Sequence, residues 1–424
     1  MNIIFRFIIL CLKVFIDFIG DLVGKFGLKL TPLTFEGICS SLSKEAKSEF
    51  LQTDYLRNNC LVFIENSTAN NIIPLSGQYF LRVWLTQLME LHVRVKKYLK
   101  MDPTVSQVPI KRPVFILTLI RTGSTFLHHL MNQDENWKCP ELWELEDCAP
   151  SPGDNAEEDK RRIAYCKFKW DVSSVLMGWN DIKKYHSLDP HNPEDLIFNI
   201  YSDFNFIVSN LIHEGMEGEF TKYFSNPSKK NSDLYDENLK LRLQMICKNA
   251  NMDRRRLLTM HHVTPVNLES LIKAFPDAQF ITIHRDPVGQ IKSACELVRV
   301  MSRSCRRHFN NDRVGFGRRV LKGATEDGKK LVNWRKSNQF KTDEFKRFID
   351  IQFKDLIKTP MKVVEDLYKD LDMTLTNSSK EKMKVYLDNY EKKTGKSKYN
   401  LKEYGLSEEK IQESMKFYTD FFQV

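Results

Sequence analysis

Hydrophobic and polar positions follow a helical period at the start of the chain. Residues 1–30 are rich in Phe, Ile and Leu, and the polar residues and glycine between them recur at spacings of seven, four, four and three: Arg6, Lys13, Asp17, Asp21 and Gly24. A helix with this spacing has a narrow polar stripe and a broad apolar face. We expect an amphipathic helix that attaches to a membrane, with an ordinary buried helix or a signal anchor as alternatives.

Residues 31–112 also have helical spacing. Their clearest apolar stripe recurs every three or four residues, at Leu81, Trp84, Leu85, Leu88, Leu91, Val95 and Tyr98. Pro103 ends that helix because proline cannot continue the backbone hydrogen bonds, and Pro109 and Pro113 bracket a linker. This region contains no motif with evident chemistry, so we interpret it as a helical scaffold.

Two short apolar runs follow, and each leads into a polar turn and then a helix. Residues 113–119 are almost continuously apolar, as is typical of a parallel strand that is covered on both faces. The turn Arg-Thr-Gly-Ser-Thr at 121–125 comes next. Residues 279–283 predict a second strand, which ends in the turn His-Arg-Asp-Pro at 284–287. The expected fold is α/β: a P-loop-like parallel sheet flanked by helices, with an N-terminal helical extension.

The first turn has the residues that a phosphate site needs. A strand that leads through a tight turn into a helix presents backbone N–H groups and the positive end of the helix dipole to an anion. Gly123 allows close backbone approach, Thr122, Ser124 and Thr125 carry hydroxyls, and Arg121 supplies a fixed positive fork. An ordinary turn with a hydroxyl N-cap is the alternative. The Gly-Lys-Ser/Thr of a Walker A loop is missing.

The second turn predicts a second phosphate site. Arg285 stands at the strand exit, and Ser293 lies about two helical turns further on. In open α/β sheets, ligands bind at the carboxyl ends of the strands. Two such turns indicate a nucleotide with phosphates at two ends. A salt-bridged arginine and a solvated serine are the alternative interpretation.

Composition and charge narrow the function classes. The 424 residues include 64 Lys+Arg and 55 Asp+Glu, for a net charge of +9. This charge favours an anionic partner, although the basic runs at 254–256 and 299–307 are equally typical of solvated faces. The mean hydropathy of −0.41 excludes a polytopic membrane protein. Nine cysteines without a CxxC pair argue against a zinc ribbon, and no nucleic-acid-binding motif is present.

The two turns together resemble those of sulfotransferases that use PAPS (3′-phosphoadenosine 5′-phosphosulfate), specifically the group with an Arg-Thr-Gly-Ser/Thr-Thr loop. Further similar segments follow in the family's order between about residues 100 and 424. They are Pro109-Ile110, Arg112–Phe115, Gln133-Asp134, Pro140, Leu142–Glu144, His186, Leu188-Asp189, Pro193-Glu194, Phe275–Ala278, Phe353–Leu356, Pro360, Lys398–Leu401 and Tyr404–Leu406. Each motif alone is weak, whereas the ordered set is specific.

The resemblance implies transfer of a sulfuryl group from PAPS to an acceptor hydroxyl or amine, which leaves 3′,5′-ADP. Residues 121–125 would bind the 5′-phosphosulfate, with Arg121 also stabilising the leaving phosphate, and Arg285 with Ser293 would bind the 3′-phosphate. Glu144 is the first candidate for the base that deprotonates the acceptor, and His186 and His128 are second choices. No metal is expected. The basic stretch 392–398 would either close over the nucleotide or be a solvated loop.

Several positions depart from the family's pattern. Thr118 and Ile120 replace a usual Gly and Pro, and Thr259 stands where a Lys that contacts the donor is usual. His261 or His262 could replace that charge. Two other functions therefore remain: a non-catalytic relative, or a P-loop-like kinase or hydrolase, which should show a Walker Lys and an acidic Mg²⁺ ligand.

The organisation that we expect is an N-terminal helix over 1–30, a helical region over 31–112 and a sulfotransferase-like nucleotide-binding domain over 113–424. The acceptor stays open among a small molecule, a lipid and a glycan, because acceptor pockets are built from variable loops. We expect association with a membrane, such as an endomembrane or the Golgi, with the cytoplasm as the alternative. We expect no nucleic-acid partner, and the oligomeric state is open.

Overall fold

A parallel sheet of five strands lies at the centre of the computed structural model, in the order β2-β3-β1-β4-β5. Its strands are β1 Val114–Thr118, β2 Trp137–Lys138, β3 Arg256–His262, β4 Gln279–His284 and β5 Phe348–Gln352. The structure describes residues 3–28, 30–68, 73–176, 188–204, 223–224, 229–263, 268–302, 312–338, 345–390 and 400–424.

Helices account for most of the remaining described chain. Before the sheet these are α1 Ile3–Lys25, α2 Phe35–Ser41, α3 Lys44–Gln52, α4 Asp54–Thr68 and α5 Leu75–Met101. Between the strands and after them come α6 Ser124–Met131, α7 Leu142–Glu146, α8 Ala156–Leu176, α9 Ile197–Ile200, α10 Lys229–Cys247, α11 Leu268–Ala274, α12 Pro287–Ser302, α13 Arg313–Asn338, α14 Phe353–Lys358, α15 Pro360–Asp370, α16 Asn377–Asn389 and α17 Glu408–Phe422. Short 3₁₀ turns span Pro103–Gln107, Tyr201–Asp203 and Leu401–Tyr404.

Both faces of the sheet are covered, which explains why its central strands are apolar without alternation. Every residue of β1 and β4 is buried. Phe115 and Leu117 pack with α10–α13 and α17, whereas Val114 and Ile116 pack on the other face with α6 and α14–α16. Full burial of one such side chain contributes about 1.5–3 kcal/mol. The expected α/β fold, a parallel sheet flanked by helices, is confirmed.

The helices that precede the sheet have a separate apolar core. It is built from α2–α5 and also takes in Phe204 and Phe224, which come from much later in the chain. Helix α5 ends at Met101, and Asp102 caps the 3₁₀ turn that begins with Pro103, as the proline predicts.

The expected N-terminal helix is present as α1. Among the helices in the described ranges, none has both the length and the apolar character that crossing a bilayer requires. The cysteines of the described segments are all free thiols, and all of them except Cys11 are buried.

Candidate active site at the carboxyl edge of the sheet

Three neighbouring strands deliver the candidate residues to one edge of the sheet. Thr118, the last residue of β1, is paired with His262, the last residue of β3, and β4 flanks β1 on its other side. Because these strands are parallel, the turns that follow them emerge together. The turn after β1 leads into α6, and the turn after β4 leads into α12.

The loop between β1 and α6 has an unusual backbone. Gly123 is the N-cap of α6 with a φ of 93°, a left-handed conformation that glycine adopts without strain. Arg121 also has a positive φ of 65°, which costs a non-glycine residue on the order of 1 kcal/mol. Such strain persists where the surroundings enforce it, and it is concentrated at functional sites.

Phe353 is one of the groups that enforce this loop geometry. A Cβ atom at Gly123 would lie 3.1 Å from the Phe353 ring, so that position has little room for any side chain. The Arg285 guanidinium stacks over the same ring, 4.4 Å from its centroid. Phe353, the first residue of α14, therefore joins the loop after β1 to the turn after β4.

Arg121, Arg285 and Ser293 form one connected group, which we call the arginine cluster. Arg121 Nε donates to Ser293 Oγ at 3.0 Å, and Arg285 Nη1 donates to the Arg121 carbonyl oxygen at 2.8 Å. Gln290 Nε2 donates to the Ile120 carbonyl oxygen at 3.0 Å and fixes the start of the loop to α12. The residues that the sequence assigned to two phosphate sites therefore contact one another directly.

The hydroxyls of the loop are not equivalent. Thr122 is buried; its Oγ1 lies 2.8 Å from Thr118 Oγ1 and donates to the Leu119 carbonyl oxygen at 3.1 Å. The Thr122 hydroxyl therefore braces the loop from inside, and its donation to the phosphate stays a prediction. Ser124 and Thr125 occupy the first two positions of α6, where backbone N–H groups have no partner within the helix.

Thr259, the position on β3 where the sequence departs from the family's usual Lys, does not lie beside the loop; its neighbour Met260 does. Thr259 and Met260 are both buried, and the Met260 Sδ lies 4.0 Å from the Thr125 hydroxyl. Met260 packs in the same core cluster as α6, and alternation along the strand turns Thr259 to the opposite face. The side chain next to the loop is therefore that of Met260 and not that of Thr259.

Glu144 is buried in an ion pair with Lys138. Lys138 Nζ binds both of its carboxylate oxygens, at 2.6 and 2.7 Å, and the Glu141 N–H donates to Oε2 at 2.8 Å. Burial alone would lower the pKa of Lys138, but the Glu144 carboxylate leaves it raised. Lys138 pairs with Leu257, five residues or about 16 Å before the carboxyl end of β3. Both oxygens of Glu144 are thus occupied by partners, and its role as the base stays a prediction.

Of the two histidines that were second choices for the base, the structure describes His128 and does not describe His186. His128 is fully buried on α6, with its Nε2 3.4 Å from the Leu258 carbonyl oxygen. Burial lowers the pKa of His128 to about 3, so its ring stays neutral and packs in the core. His186 lies outside the described residues, as does the basic stretch 392–398.

Asp195, His261 and His262 form a cluster beside the loop. The sequence pointed to the two histidines, and the structure adds Asp195. The Asp195 carboxylate lies 3.5 Å from His261 Nδ1 and 3.4 Å from His262 Nε2. His262 Nδ1 lies 3.3 Å from the carbonyl oxygen of Thr118, where the loop begins. Burial alone would raise the pKa of Asp195, but the two imidazoles and the Ile197 N–H hold it below its usual value. The His-His pair was a signal in the sequence, whereas nothing there pointed to Asp195.

Aromatic rings cover the beginning of α6. The Phe126 ring lies 4.8 Å from Tyr390 and 6.5 Å from Tyr386, both near the end of α16. Burial raises the pKa of the Tyr390 phenol, and the nearby charge of Arg121 opposes that rise. These tyrosines, more than 250 residues after the loop, belong to the surroundings of Arg121, which sequence reasoning missed.

Comparisons with known proteins agree with this geometry. Residues 113–377 match the model of the sulfotransferase family. The structure is similar to sulfotransferase STF9 from Mycobacterium avium, with a TM-score of 0.76 and 21% identity over 92% of this chain and 97% of that chain. Sulfotransferase STF1 from Mycobacterium tuberculosis H37Rv is similar with a TM-score of 0.67 and 18% identity over 91% of this chain and 99% of that chain.

The structural similarities, at these identities, concern the fold alone. No curated protein sequence matches the chain. The family model spans well over half of the 424 residues, including both turns of the arginine cluster, and it gives sulfuryl transfer as the general reaction class. The chain belongs to the sulfotransferase family.

Proposed function

We propose that the chain transfers the sulfuryl group of PAPS to a hydroxyl or amine of an acceptor. The observation that carries this proposal is the arginine cluster, in which Arg121, Arg285 and Ser293 meet at the N-terminus of a helix that follows a parallel strand. A helix N-terminus with an adjacent guanidinium suits a phosphate, and a second guanidinium within the same group suits a second one. PAPS carries both.

Different residues of the arginine cluster would bind the two phosphate groups of the donor. Arg121 and the N–H groups at residues 123–125 would hold the 5′-phosphosulfate, and Arg285 with Ser293 would hold the 3′-phosphate. This division favours PAPS over ATP, because ATP has no 3′-phosphate for Arg285 to bind. We propose no metal in the reaction, because arginines and helix N–H groups supply the positive charge that transfer requires.

The reaction forms a bond between the acceptor oxygen or nitrogen and sulfur, and it breaks the bond between sulfur and the 5′-phosphate oxygen. The 3′,5′-ADP product leaves with that electron pair. As in phosphoryl transfer, the protein contributes mainly positioning and charge stabilisation. Arg121 would stabilise the charge that develops on the leaving phosphate.

His262 would supply a further positive charge, in place of the Lys that the family usually has on this strand. Its two ring nitrogens face a carbonyl oxygen and a carboxylate oxygen, which are both acceptors. Asp195 would hold the His262 ring beside the start of the loop. Met260, which is next to Thr125, cannot provide a charge there.

The proposal also names a base and classes of acceptor. The Glu144 carboxylate is saturated by Lys138, so we retain His186 as the proposed base. The acceptor stays a proposal among a small molecule, a lipid and a glycan. A location at an endomembrane or in the cytoplasm is likewise a proposal, and subcellular imaging of the tagged full chain distinguishes the two.

Titration calorimetry separates the proposed donor from the alternatives. We expect 3′,5′-ADP to bind the purified chain tightly, 5′-AMP to bind about a hundredfold more weakly because it lacks the 3′-phosphate, and ATP with Mg²⁺ to bind poorly. Tight binding of ATP with Mg²⁺ alone would favour a kinase or hydrolase. Binding of 3′,5′-ADP without turnover of PAPS on any acceptor would indicate a non-catalytic relative.

A further inference from the structure

Helix α1 lies on the protein with its polar side inward. Asp17 accepts hydrogen bonds from the Ser76 N–H at 2.9 Å and from the Ser76 hydroxyl at 3.0 Å, at the beginning of α5. Lys13 donates to the same carboxylate at 2.7 Å. Of the residues from Ile3 to Gly20, only Ile9 and Gly20 are buried, on the same edge of the helix as these polar groups.

Between Ile3 and Gly20, the opposite face of α1 is apolar; Asp21, in the next turn, is the exposed charge that ends this apolar stretch. Every exposed residue between Ile3 and Gly20 is apolar, and these residues are Ile3, Ile4, Phe5, Phe7, Ile8, Leu10, Cys11, Leu12, Val14, Phe15 and Phe18. Phe7 and Phe15 are 67% and 62% exposed. Together they present on the order of 1,000 Å² of apolar surface, about twice the largest patch of a typical soluble monomer.

Neighbouring helices extend this face sideways. Phe5 contacts Phe168 of α8 with ring centroids 6.3 Å apart, and Phe168 and Tyr165 are themselves exposed. On α5, Tyr79 and Val83 are exposed one and two turns after Ser76. We call α1 with these four side chains the apolar platform.

We propose that the apolar platform binds the surface of a lipid bilayer that contains anionic lipids, with α1 lying in the plane of the membrane. Contacts with Phe168 near its start and with Ser76 further along hold α1 flat on the protein, so the platform meets a membrane side-on. Its outward face between Ile3 and Gly20 carries no polar side chain. Hydrocarbon requires no hydrogen bonds, whereas a protein interface of this size carries roughly one per 100–200 Å².

Basic side chains at the edge of the apolar platform complement the charge of anionic headgroups. Lys25 is exposed at the end of α1, one turn after the exposed Asp21, and Lys167 is exposed on α8 between Tyr165 and Phe168. Arg161, also exposed on α8, is paired with Glu158. Basic side chains at the edge of an apolar helix are attracted to anionic headgroups, and tyrosines favour the boundary between hydrocarbon and water. This inference concerns attachment and does not depend on the proposed reaction.

Co-sedimentation of the full chain with phosphatidylcholine–phosphatidylserine vesicles tests the proposal. Val14→Glu/Phe18→Glu should lower the bound fraction at least about tenfold, because two charges enter the apolar face. Val385→Glu is the matched control, since Val385 on α16 is 58% exposed and Val14 is 59% exposed. Circular dichroism melting of each variant separates lost binding from lost folding.

A second readout uses Cys11, which is exposed on the platform. Cys305 lies outside the described residues, so it is replaced by Ser to leave Cys11 as the exposed thiol of the described chain. In this Cys305→Ser background, vesicles should protect Cys11 from a water-soluble maleimide, and the Val14→Glu/Phe18→Glu variant should lose that protection. Two results would overturn the proposal: vesicle binding that is equal in the double variant and the wild type, or a doubled mass by light scattering with Cys11 protected in the absence of lipid. A doubled mass with protected Cys11 would show that a second copy of the chain covers the apolar platform.

Discussion

The arginine cluster and the Lys138–Glu144 pair use the same kinds of charged side chain for opposite purposes. In the arginine cluster, Arg121 and Arg285 are partly exposed, and the contacts described above join them to a hydroxyl and a carbonyl oxygen. In the pair, Lys138 Nζ binds both oxygens of Glu144, and the pair is buried. The first therefore carries net positive charge beside a helix N-terminus, whereas the second neutralises itself.

This difference shows that the type of residue at a family-like position does not decide its role. A carboxylate becomes a base when it can reach the acceptor, and Glu144 has its oxygens occupied by Lys138 and the Glu141 N–H. A guanidinium can bind a donor when it is partly exposed beside a helix N-terminus, as Arg121 is at α6 and Arg285 at α12. The comparison therefore predicts that changes in the pair affect stability and that changes in the cluster affect function.

The largest effect should come from Glu144→Gln. This change leaves the Lys138 ammonium buried without its carboxylate, which should lower the free energy of unfolding by about 3–5 kcal/mol. Urea unfolding followed by circular dichroism measures the loss. Donor affinity of the folded fraction should be unchanged.

The double variant Lys138→Met/Glu144→Gln is the control for this prediction. Removing both charges should restore much of the lost stability, because no unpaired charge remains in the interior. A folded Glu144→Gln protein that keeps its stability but loses turnover would instead restore Glu144 as the base and break the comparison.

A smaller effect, about a hundredfold in turnover, should follow from His262→Gln, because the change removes a positive charge beside the loop. His262→Lys should recover most of the turnover, because it returns a positive charge to the same place. Inactivity of a folded His262→Lys variant would show that His262 does not act as a cation.

The smallest effect should come from Met260→Lys. A Lys at this position can reach toward Thr125 and the loop, so the affinity for 3′,5′-ADP should rise roughly fivefold, about 1 kcal/mol. Met260 and Thr259 are both buried, so a Lys at either position buries a charge and should destabilise the protein. Thr259→Lys is the matched variant on the opposite face of β3 and should not improve affinity. The reverse pattern in calorimetry would return the donor contact to Thr259.

The central fold could be predicted because its signals are local. The continuous apolar runs of β1 and β4 require cover on both faces, and the turns that follow them lead into helices at Ser124 and Pro287. The sequence could not give the strand order, because the pairing of β1 with β3 and β4 joins segments more than 130 residues apart.

The candidate site was predictable in part for the same reason. Arg121, Gly123, Arg285 and Ser293 belong to local motifs, whose spacing relative to a strand end is visible in one sequence. Roles that depend on how side chains turn in three dimensions were not predictable, even where the partner is near in sequence. The carboxylate of Glu144 is occupied by Lys138, six residues earlier, and the hydroxyl of Thr122 turns inward to Thr118, four residues earlier. The face on which Thr259 lies follows from the register of β3 with β1.

Calorimetric titration with 3′,5′-ADP of the wild type and three single variants tests the central claim most directly. We expect binding to fall at least about a hundredfold in Arg121→Ala and in Arg285→Ala, and to persist in folded Glu144→Gln, because only the first two changes remove charge from the arginine cluster. Unfolding measured on the same samples verifies folding. Undiminished binding in both arginine variants, or its loss in folded Glu144→Gln, would contradict the account.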